Sequence, residues 1–265
     1  MCLVAFAWLA HPRWRLVLAG NRDESHARPA APLERWTAEP GLIAGRDLEA
    51  GGAWLGVGGN GRAGVVTNVR DPRASRLGQS RGGLLVEYLG GLNPVDAHAA
   101  SLAHRAVEYR PFNLVLFDSR AAVVVTNHPI PRWEKLPPGL QALSNGAPGD
   151  AWPKTRKLQA SLEQWLACDV ASVDDLFAPL ADETIAPDDE LPDTGMGLEI
   201  ERRLSPAFIR GEEYGTRACT VLAVNSTGAG MIIERRFGPR GVFEGESREE
   251  FLWSSDASAE RRTIG

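Results

Sequence analysis

The chain has 265 residues and a formal net charge of -5, and 43% of its residues are hydrophobic and 24% charged. This balance is typical of a globular protein, and no apolar run reaches the roughly 18 residues that a membrane helix needs, so we expect no integral membrane segment. The acidic charge and the scattered arginines disfavour nucleic acid as a partner and favour a small molecule. The first apolar stretch is short and has no basic leader, so we expect a cytoplasmic protein. Without an obvious linker or repeat, we predict a single domain over residues 1–265.

The N-terminal part of the chain predicts two β-hairpins. Apolar runs at 2–8 and 14–20 flank a short connection that contains proline, and runs at 53–57 and 63–68 flank the glycine-rich turn at 58–61.

Blocks of helix and strand patterns follow. They are helices at 81–90 and 95–106, strands at 113–117, 122–126 and 140–143, a helix at 153–168, an acidic surface loop at 182–197, a hairpin of 216–225 with 231–237, and a short apolar piece at 251–253. Antiparallel hairpins interrupted by helices predict a layered α+β fold rather than a doubly wound parallel sheet.

Cys2 is the residue that most strongly suggests chemistry. Removal of the initiator methionine would place a thiol and a free α-amine on one residue. Such an amine titrates at about pH 7.7 to 8.0 and can act as the local base for the thiol. The alternative is a small apolar cysteine that begins a buried strand.

The other cysteines and the histidines indicate no further chemistry. Cys2, Cys168 and Cys219 are an odd number without a CxxC pair, which disfavours a disulfide framework and a zinc site. The five histidines lack metal-ligand spacing, so we expect no metal.

Four polar elements are predicted at or just beyond strand ends. They are Cys2, residues 21–24 just after the second strand, residues 67–68 and residues 144–145. If these ends meet, a thiol with its amine, a carboxylate that orients the amine and asparagine amides that hold an oxyanion would form an amide- or acyl-cleaving site.

Each polar residue also has a structural alternative. Asp23 suits a turn or cap, Arg22 suits a surface ion pair, and Asn68 suits a turn. Asn145 with Gly146 forms a dipeptide that is typical of a tight hairpin turn.

These motifs resemble the NRDE family, also called the transport and Golgi organisation protein 2 family. The resemblance begins with Asn21-Arg22-Asp23-Glu24 after an MC start. Further landmarks of that family follow in order: Gly45-Arg46-Asp47, Gly52-Ala53-Trp54-Leu55-Gly56, Thr67-Asn68-Val69-Arg70, Ser80-Arg81-Gly82, Phe112-Asn113-Leu114, Leu143-Ser144-Asn145, Trp152-Pro153-Lys154 and Tyr214-Gly215-Thr216-Arg217.

The family is in turn similar to cysteine N-terminal-nucleophile (Ntn) hydrolases, which implies a four-layer αββα sandwich of two antiparallel sheets. By motif position, the resemblance implies a nucleophile, a charged pair, an oxyanion asparagine and a second asparagine: Cys2, Arg22 with Asp23, Asn68 and Asn145. It implies binding roles for Asn21, Glu24 and Arg217, although a structural ion pair is an equal alternative for Arg217.

Two functions follow from the residues and the resemblance. The first is a cysteine amidohydrolase that acts through Cys2 on a non-peptide C–N bond of a small amide or acyl compound and requires no cofactor. The alternative is a non-catalytic binding or trafficking protein for haem or for a lipid or acyl-coenzyme A ligand, because a fold does not fix a function. The chain has no CxxCH signal for covalent haem attachment.

Overall fold

The computed structural model describes residues 2–39, 41–73, 78–168 and 170–253. Its first sheet has six antiparallel strands: β1 (Cys2–His11), β2 (Trp14–Ser25), β10 (Gly139–Leu143), β11 (Tyr214–Asn225), β12 (Ala229–Phe237) and β13 (Phe243–Leu252). Their order is β10-β1-β2-β11-β12-β13, so β10 and β13 are the edge strands and β1 and β2 lie inside the sheet.

The second sheet has seven antiparallel strands. They are β3 (Ala30–Arg35), β4 (Ile43–Asp47), β5 (Leu55–Gly58), β6 (Arg62–Asn68), β7 (Phe112–Phe117), β8 (Ala122–Thr126) and β9 (Arg132–Leu136), and they are arranged in chain order.

Helices cover the outer face of each sheet. On the seven-stranded sheet, α1 (Gly82–Gly90) packs against β5 and β6, and α2 (Val95–Arg105) packs against β8 and β9. On the six-stranded sheet, α3 (Pro153–Leu166) packs against β1 and β10, and α4 (Phe177–Leu180) packs against β2 and β11. This layering confirms the predicted α+β αββα sandwich.

A further short helix, α5 (Leu198–Leu204), precedes β11. Within the described ranges, none of these helices is long and apolar enough to cross a membrane.

The N-terminal strand is apolar on both faces because both faces are covered. Val4, Phe6 and Trp8 point into the core between the sheets. The residues between them, Leu3, Ala5 and Ala7, point towards α3 and α4.

The sheets interdigitate where Phe6 meets Phe117 of β7 edge to face, with 5.2 Å between ring centroids.

The prediction that the second strand stops before Asn21 is wrong. Strand β2 continues to Ser25, and residues 21–24 pair with β1 on one side and β11 on the other. These residues are polar and so give no apolar strand pattern in the sequence. In the structure, pairing with two neighbouring strands and contacts on both sheet faces outweigh their local propensity.

Three strands were not predicted at all, and one was only partly predicted. They are β3, β4, β9 and most of β13. In β3, β9 and β13 Leu33 is the only buried residue, because these strands form sheet edges, and they therefore lack a continuous apolar signal.

Candidate active site

A cavity of about 220 Å³ lies between the two sheets at the end where β1 begins. Strands β1, β2, β11 and β12 contribute one wall, and β3, β4, β6 and the start of α1 contribute the other. Six of the eight residues singled out from the sequence line it: Cys2, Arg22, Asp23, Glu24, Asn68 and Arg217.

Cys2 begins β1 and lies directly opposite Arg22 of β2. Its side chain is 5% exposed and belongs to the apolar cluster between the sheets. Burial raises the pKa of the thiol, so at neutral pH the sulfur carries its proton. The Cys2 carbonyl accepts a hydrogen bond from Ser144 Oγ at 2.9 Å, which ties the start of β1 to the segment after β10.

Arg22 forms an ion pair inside the cavity wall rather than on the open surface. Its Nη2 lies 3.1 Å from Asp47 Oδ2, and both side chains are largely buried. Asp47 also pairs with Arg28. Although burial acts to raise it, the hydrogen bond from Arg28 and the neighbouring positive charges hold the pKa of Asp47 below its usual value.

Asp23 is buried in the interior of β2. Its Oδ1 accepts a hydrogen bond from Thr216 Oγ1 at 2.7 Å, and its main-chain oxygen accepts one from the Tyr214 hydroxyl at 3.1 Å. The turn or cap interpretation is therefore wrong, because β11 holds this carboxylate within a continuous strand.

Asn68 and Asn145 come together at the junction of the two sheets. Strand β6 ends at Asn68 and β10 ends just before Ser144. Asn145 Nδ2 donates to the Asn68 carbonyl at 2.9 Å. The side chain of Asn68 lines the cavity and makes no hydrogen bond within the described chain, whereas Asn145 is fully buried behind it.

The hairpin alternative for Asn145-Gly146 is wrong. The chain leaves β10 at Leu143 and leads into α3 instead of returning along a partner strand. The expected meeting of strand ends is thus found for β1, β6 and β10, while the fourth polar element lies inside β2.

Asn21 points towards the helical layer and not into the cavity that Arg22 lines. Its Nδ2 donates to the main-chain oxygens of Leu180 and Ala207, both at 2.8 Å. The structure therefore gives Asn21 a role in joining β2 to the helical layer, and its side chain does not line the cavity.

Glu24 and Arg217 line the cavity near the end of β2. Glu24 Oε1 accepts the Ser25 N–H at 2.9 Å. Arg217 Nη1 donates to the main-chain oxygens of Ser25, at 3.2 Å, and Arg28. No carboxylate of the described residues lies within 4 Å of the Arg217 guanidinium, so the alternative of a structural ion pair finds no support there.

Several cavity and supporting residues were missed from the sequence as functional candidates. Arg28, Arg81 and Arg110 line the cavity, and Thr216 holds Asp23. Arg81 and Thr216 fall within the quoted family landmarks, so the resemblance carried a signal for them, while Arg28 and Arg110 have none.

A buried polar cluster lies beside this site. Arg70 forms an ion pair with Glu201, and both side chains are almost completely buried. Lys154 Nζ donates to the Leu204 carbonyl at 2.9 Å. Burial lowers the pKa of Lys154 to about 8, while the negative charge of Asp23 acts in the opposite direction.

No metal-binding cluster is present among the described residues, since no three His, Cys, Asp or Glu side chains are grouped suitably. No histidine is among the described residues that line the cavity.

Comparison with known proteins agrees with the motif resemblance. The family model described as Transport and Golgi organisation 2 matches residues 1–239. The chain is 30% identical to the Bos taurus transport and Golgi organization protein 2 homolog, with 89% of this chain and 92% of that protein covered. It is 29% identical to the Homo sapiens homolog, with 94% and 97% covered.

The structure is also similar to a Caenorhabditis elegans N-acylethanolamine-hydrolyzing acid amidase ortholog, at 11% identity, with 83% of this chain and 92% of that chain covered. The TM-score is 0.43. The family match over residues 1–239 and the full-length relatives show that this chain belongs to the transport and Golgi organisation 2 family.

Proposed function

We propose that this protein is an N-terminal cysteine hydrolase that cleaves a C–N bond of a small amide or a related acyl compound. The observation that carries the proposal is the position of Cys2: it begins a central strand, lies opposite Arg22 and shares one cavity with Asp23 and Asn68. A nucleophile, a charged pair and an amide donor are the groups that acyl transfer requires.

The α-amine of Cys2, freed by removal of Met1, is the base in this mechanism. Because burial raises the thiol pKa, the resting group is the thiol, and a proton acceptor is required before attack. Asp23, held by Thr216 Oγ1, orients the ammonium form of that amine.

Cleavage proceeds through a thioester. The sulfur attacks the carbonyl carbon while the thiol proton passes to the α-amine, and that proton then moves to the leaving nitrogen as the C–N bond breaks. Water next attacks the thioester carbonyl while one of its protons passes to the α-amine. The C–S bond then breaks, the acid is released, and that proton returns to the sulfur to restore the Cys2 thiol. Asn68 Nδ2 stabilises the oxyanion in both steps, and Asn145 fixes the Asn68 main chain.

Turnover of a panel of N-acyl amides by matched cysteine variants tests this function. Cys2→Ala abolishes turnover, whereas Cys168→Ala, at an exposed position, leaves it unchanged. A Cys2→Ala protein that retains turnover of a substrate cleaved by the wild type contradicts the proposal.

Ligand binding without turnover is the second candidate. The observation in its favour is the burial of Cys2, which is 5% exposed within the apolar cluster between the sheets and so presents little of its sulfur to a substrate. The ligands considered are haem and a lipid or acyl-coenzyme A. For haem, a saturable Soret shift that is lost in Cys2→Ala supports the binding function, and no shift at micromolar concentrations contradicts it.

A further inference from the structure

The cavity wall is rich in guanidinium groups. Seven arginines line it together with six Asp or Glu residues. Two of these acids form ion pairs with arginines that also line the cavity: Asp47 pairs with Arg22 and Arg28, and Glu49 pairs with Arg28.

Other carboxylates of the wall have different partners. Glu234 is 3% exposed, accepts the Leu33 N–H at 2.9 Å, and has a pKa that burial raises. Asp23 accepts its hydrogen bond from Thr216. The other two acids, Glu24 and Glu244, lie more than 4 Å from every guanidinium of the described residues, so neither forms an ion pair with the remaining arginines.

Three arginines on the wall that α1 begins, Arg46, Arg81 and Arg110, have no ion-pair partner among the described residues. Arg46 lies over the Trp36 ring, 4.4 Å from its centroid, which leaves Arg81 and Arg110 for a ligand. No carboxylate among the described residues lies within 4 Å of either guanidinium.

Within the described ranges, Arg81 Nη1 makes a single hydrogen bond, to the Pro111 carbonyl at the long distance of 3.4 Å. Burial lowers the pKa of Arg81, a Cys2 thiolate would raise it, the charge of Arg110 lowers it and, to a smaller extent, the Glu24 carboxylate raises it. Arg81 and Arg110 therefore lie within electrostatic reach of each other and of the sulfur.

From this arrangement we infer that the cavity takes an anionic ligand, and that Arg81 and Arg110 hold its carboxylate or phosphate group beside Cys2. Guanidinium groups suit both anions because they donate paired, charge-assisted hydrogen bonds. This inference deepens the proposed function by naming the substrate class, and it rests on that function only in taking Cys2 as the reacting end of the cavity.

Alkylation of Cys2 tests the inference without any need for turnover. Iodoacetate carries a carboxylate, and iodoacetamide is its neutral counterpart. The ratio of their rate constants at Cys2, followed by peptide mass spectrometry, is compared with the same ratio at exposed Cys168 in the same sample. We expect the Cys2 ratio to exceed the Cys168 ratio by about tenfold, which corresponds to about 1.4 kcal/mol.

Matched variants assign the effect to the two arginines. Arg81→Gln and Arg110→Gln each lower the Cys2 ratio towards that of Cys168, Arg81→Lys retains most of the preference, and Arg120→Gln, at an exposed position outside the cavity, leaves it unchanged. A Cys2 ratio no higher than the Cys168 ratio overturns the inference. A preference that survives both glutamine substitutions also overturns it.

Competition identifies the anion class. Acetate and inorganic phosphate are added to the iodoacetate reaction at matched ionic strength, and selective slowing by one of them assigns the carboxylate or the phosphate class. Slowing by neither overturns the inference.

If Cys2 reacts with neither reagent, calorimetric titration with the same two anions decides. Saturable heat that is lost in Arg81→Gln supports the inference, and no saturable heat with either anion overturns it. A hydrolase without anion preference contradicts this inference alone, whereas anion binding without any Cys2-dependent turnover contradicts the proposed function alone.

Discussion

Cys2 and Arg22 are paired residues on neighbouring antiparallel strands, and both side chains face the cavity between the sheets. The pairing fixes the nucleophile against a cation that Asp47 holds in place at 3.1 Å. Asp23, the next residue along, is fixed from β11 through Thr216. The proposed chemistry thus depends on the register of three central strands, which is set by burial on both sheet faces.

Replacement of Asn68 separates the oxyanion role from a structural one. The Asn68 side chain lines the cavity without a hydrogen bond in the described chain. Asn68→Ala therefore changes the free energy of unfolding by no more than about 0.5 kcal/mol, and slows Cys2 acylation by about 10²- to 10³-fold. Urea unfolding and the rate of adduct formation measure the two effects. Wild-type acylation in this variant would remove Asn68 from the mechanism.

Asn21→Ala is expected to lower stability without slowing acylation. Its amide donates to the carbonyls of Leu180 and Ala207, so both acceptors lose a buried partner. We expect a loss of about 1–3 kcal/mol in the free energy of unfolding, with the acylation rate of the folded protein unchanged. A stable variant that no longer acylates would place Asn21 in the site after all.

Removal of either partner of the buried Arg70–Glu201 ion pair lowers the free energy of unfolding. In Glu201→Gln the Arg70 charge remains buried without its counter-ion, and the expected loss is about 3–5 kcal/mol. The control is Glu199→Gln, which removes an exposed pair with Arg202 and costs at most about 1 kcal/mol. Equal unfolding midpoints for the two variants in urea would contradict this account.

Lys154 makes stability depend on pH in the alkaline range. Its pKa is about 8 in the folded protein against 10.5 for an ordinary lysine, so between these values the unfolded state binds more protons and this group's contribution to stability rises with pH. The stability of Lys154→Met relative to the wild type therefore falls by about 2–3 kcal/mol from pH 7 to pH 10. Parallel urea titrations check this, and a difference that stays constant with pH would show that Lys154 has an ordinary pKa.

The sandwich can be predicted from the sequence because continuous apolar runs indicate β1, β6 and β8. Much of the site can be predicted because polar residues lie at the ends of β1 and β6 that reach the cavity. The opposite directions of the Asn21 and Arg22 side chains could not be predicted. Residues 21–24 are recognisable as strand only from their pairing with β1 and β11.

Contacts between distant segments were also beyond the sequence. Thr216 and Asp23 are 193 positions apart, and only the pairing of β2 with β11 brings them together. Likewise, the charge balance around Arg81 depends on which carboxylates other arginines occupy, which spacing along the chain does not encode.

The proposed function depends on a free N-terminal Cys2 that forms an acyl-enzyme. Intact-mass spectrometry before and after incubation with a thiol-reactive acyl probe tests it most directly. In a Cys168→Ala background, which removes the exposed thiol, we expect a protein that lacks Met1 and gains one acyl group at Cys2, and no adduct once Cys2→Ala is added. A protein that retains Met1, or an adduct that persists after Cys2→Ala is added, contradicts the proposed acyl-enzyme.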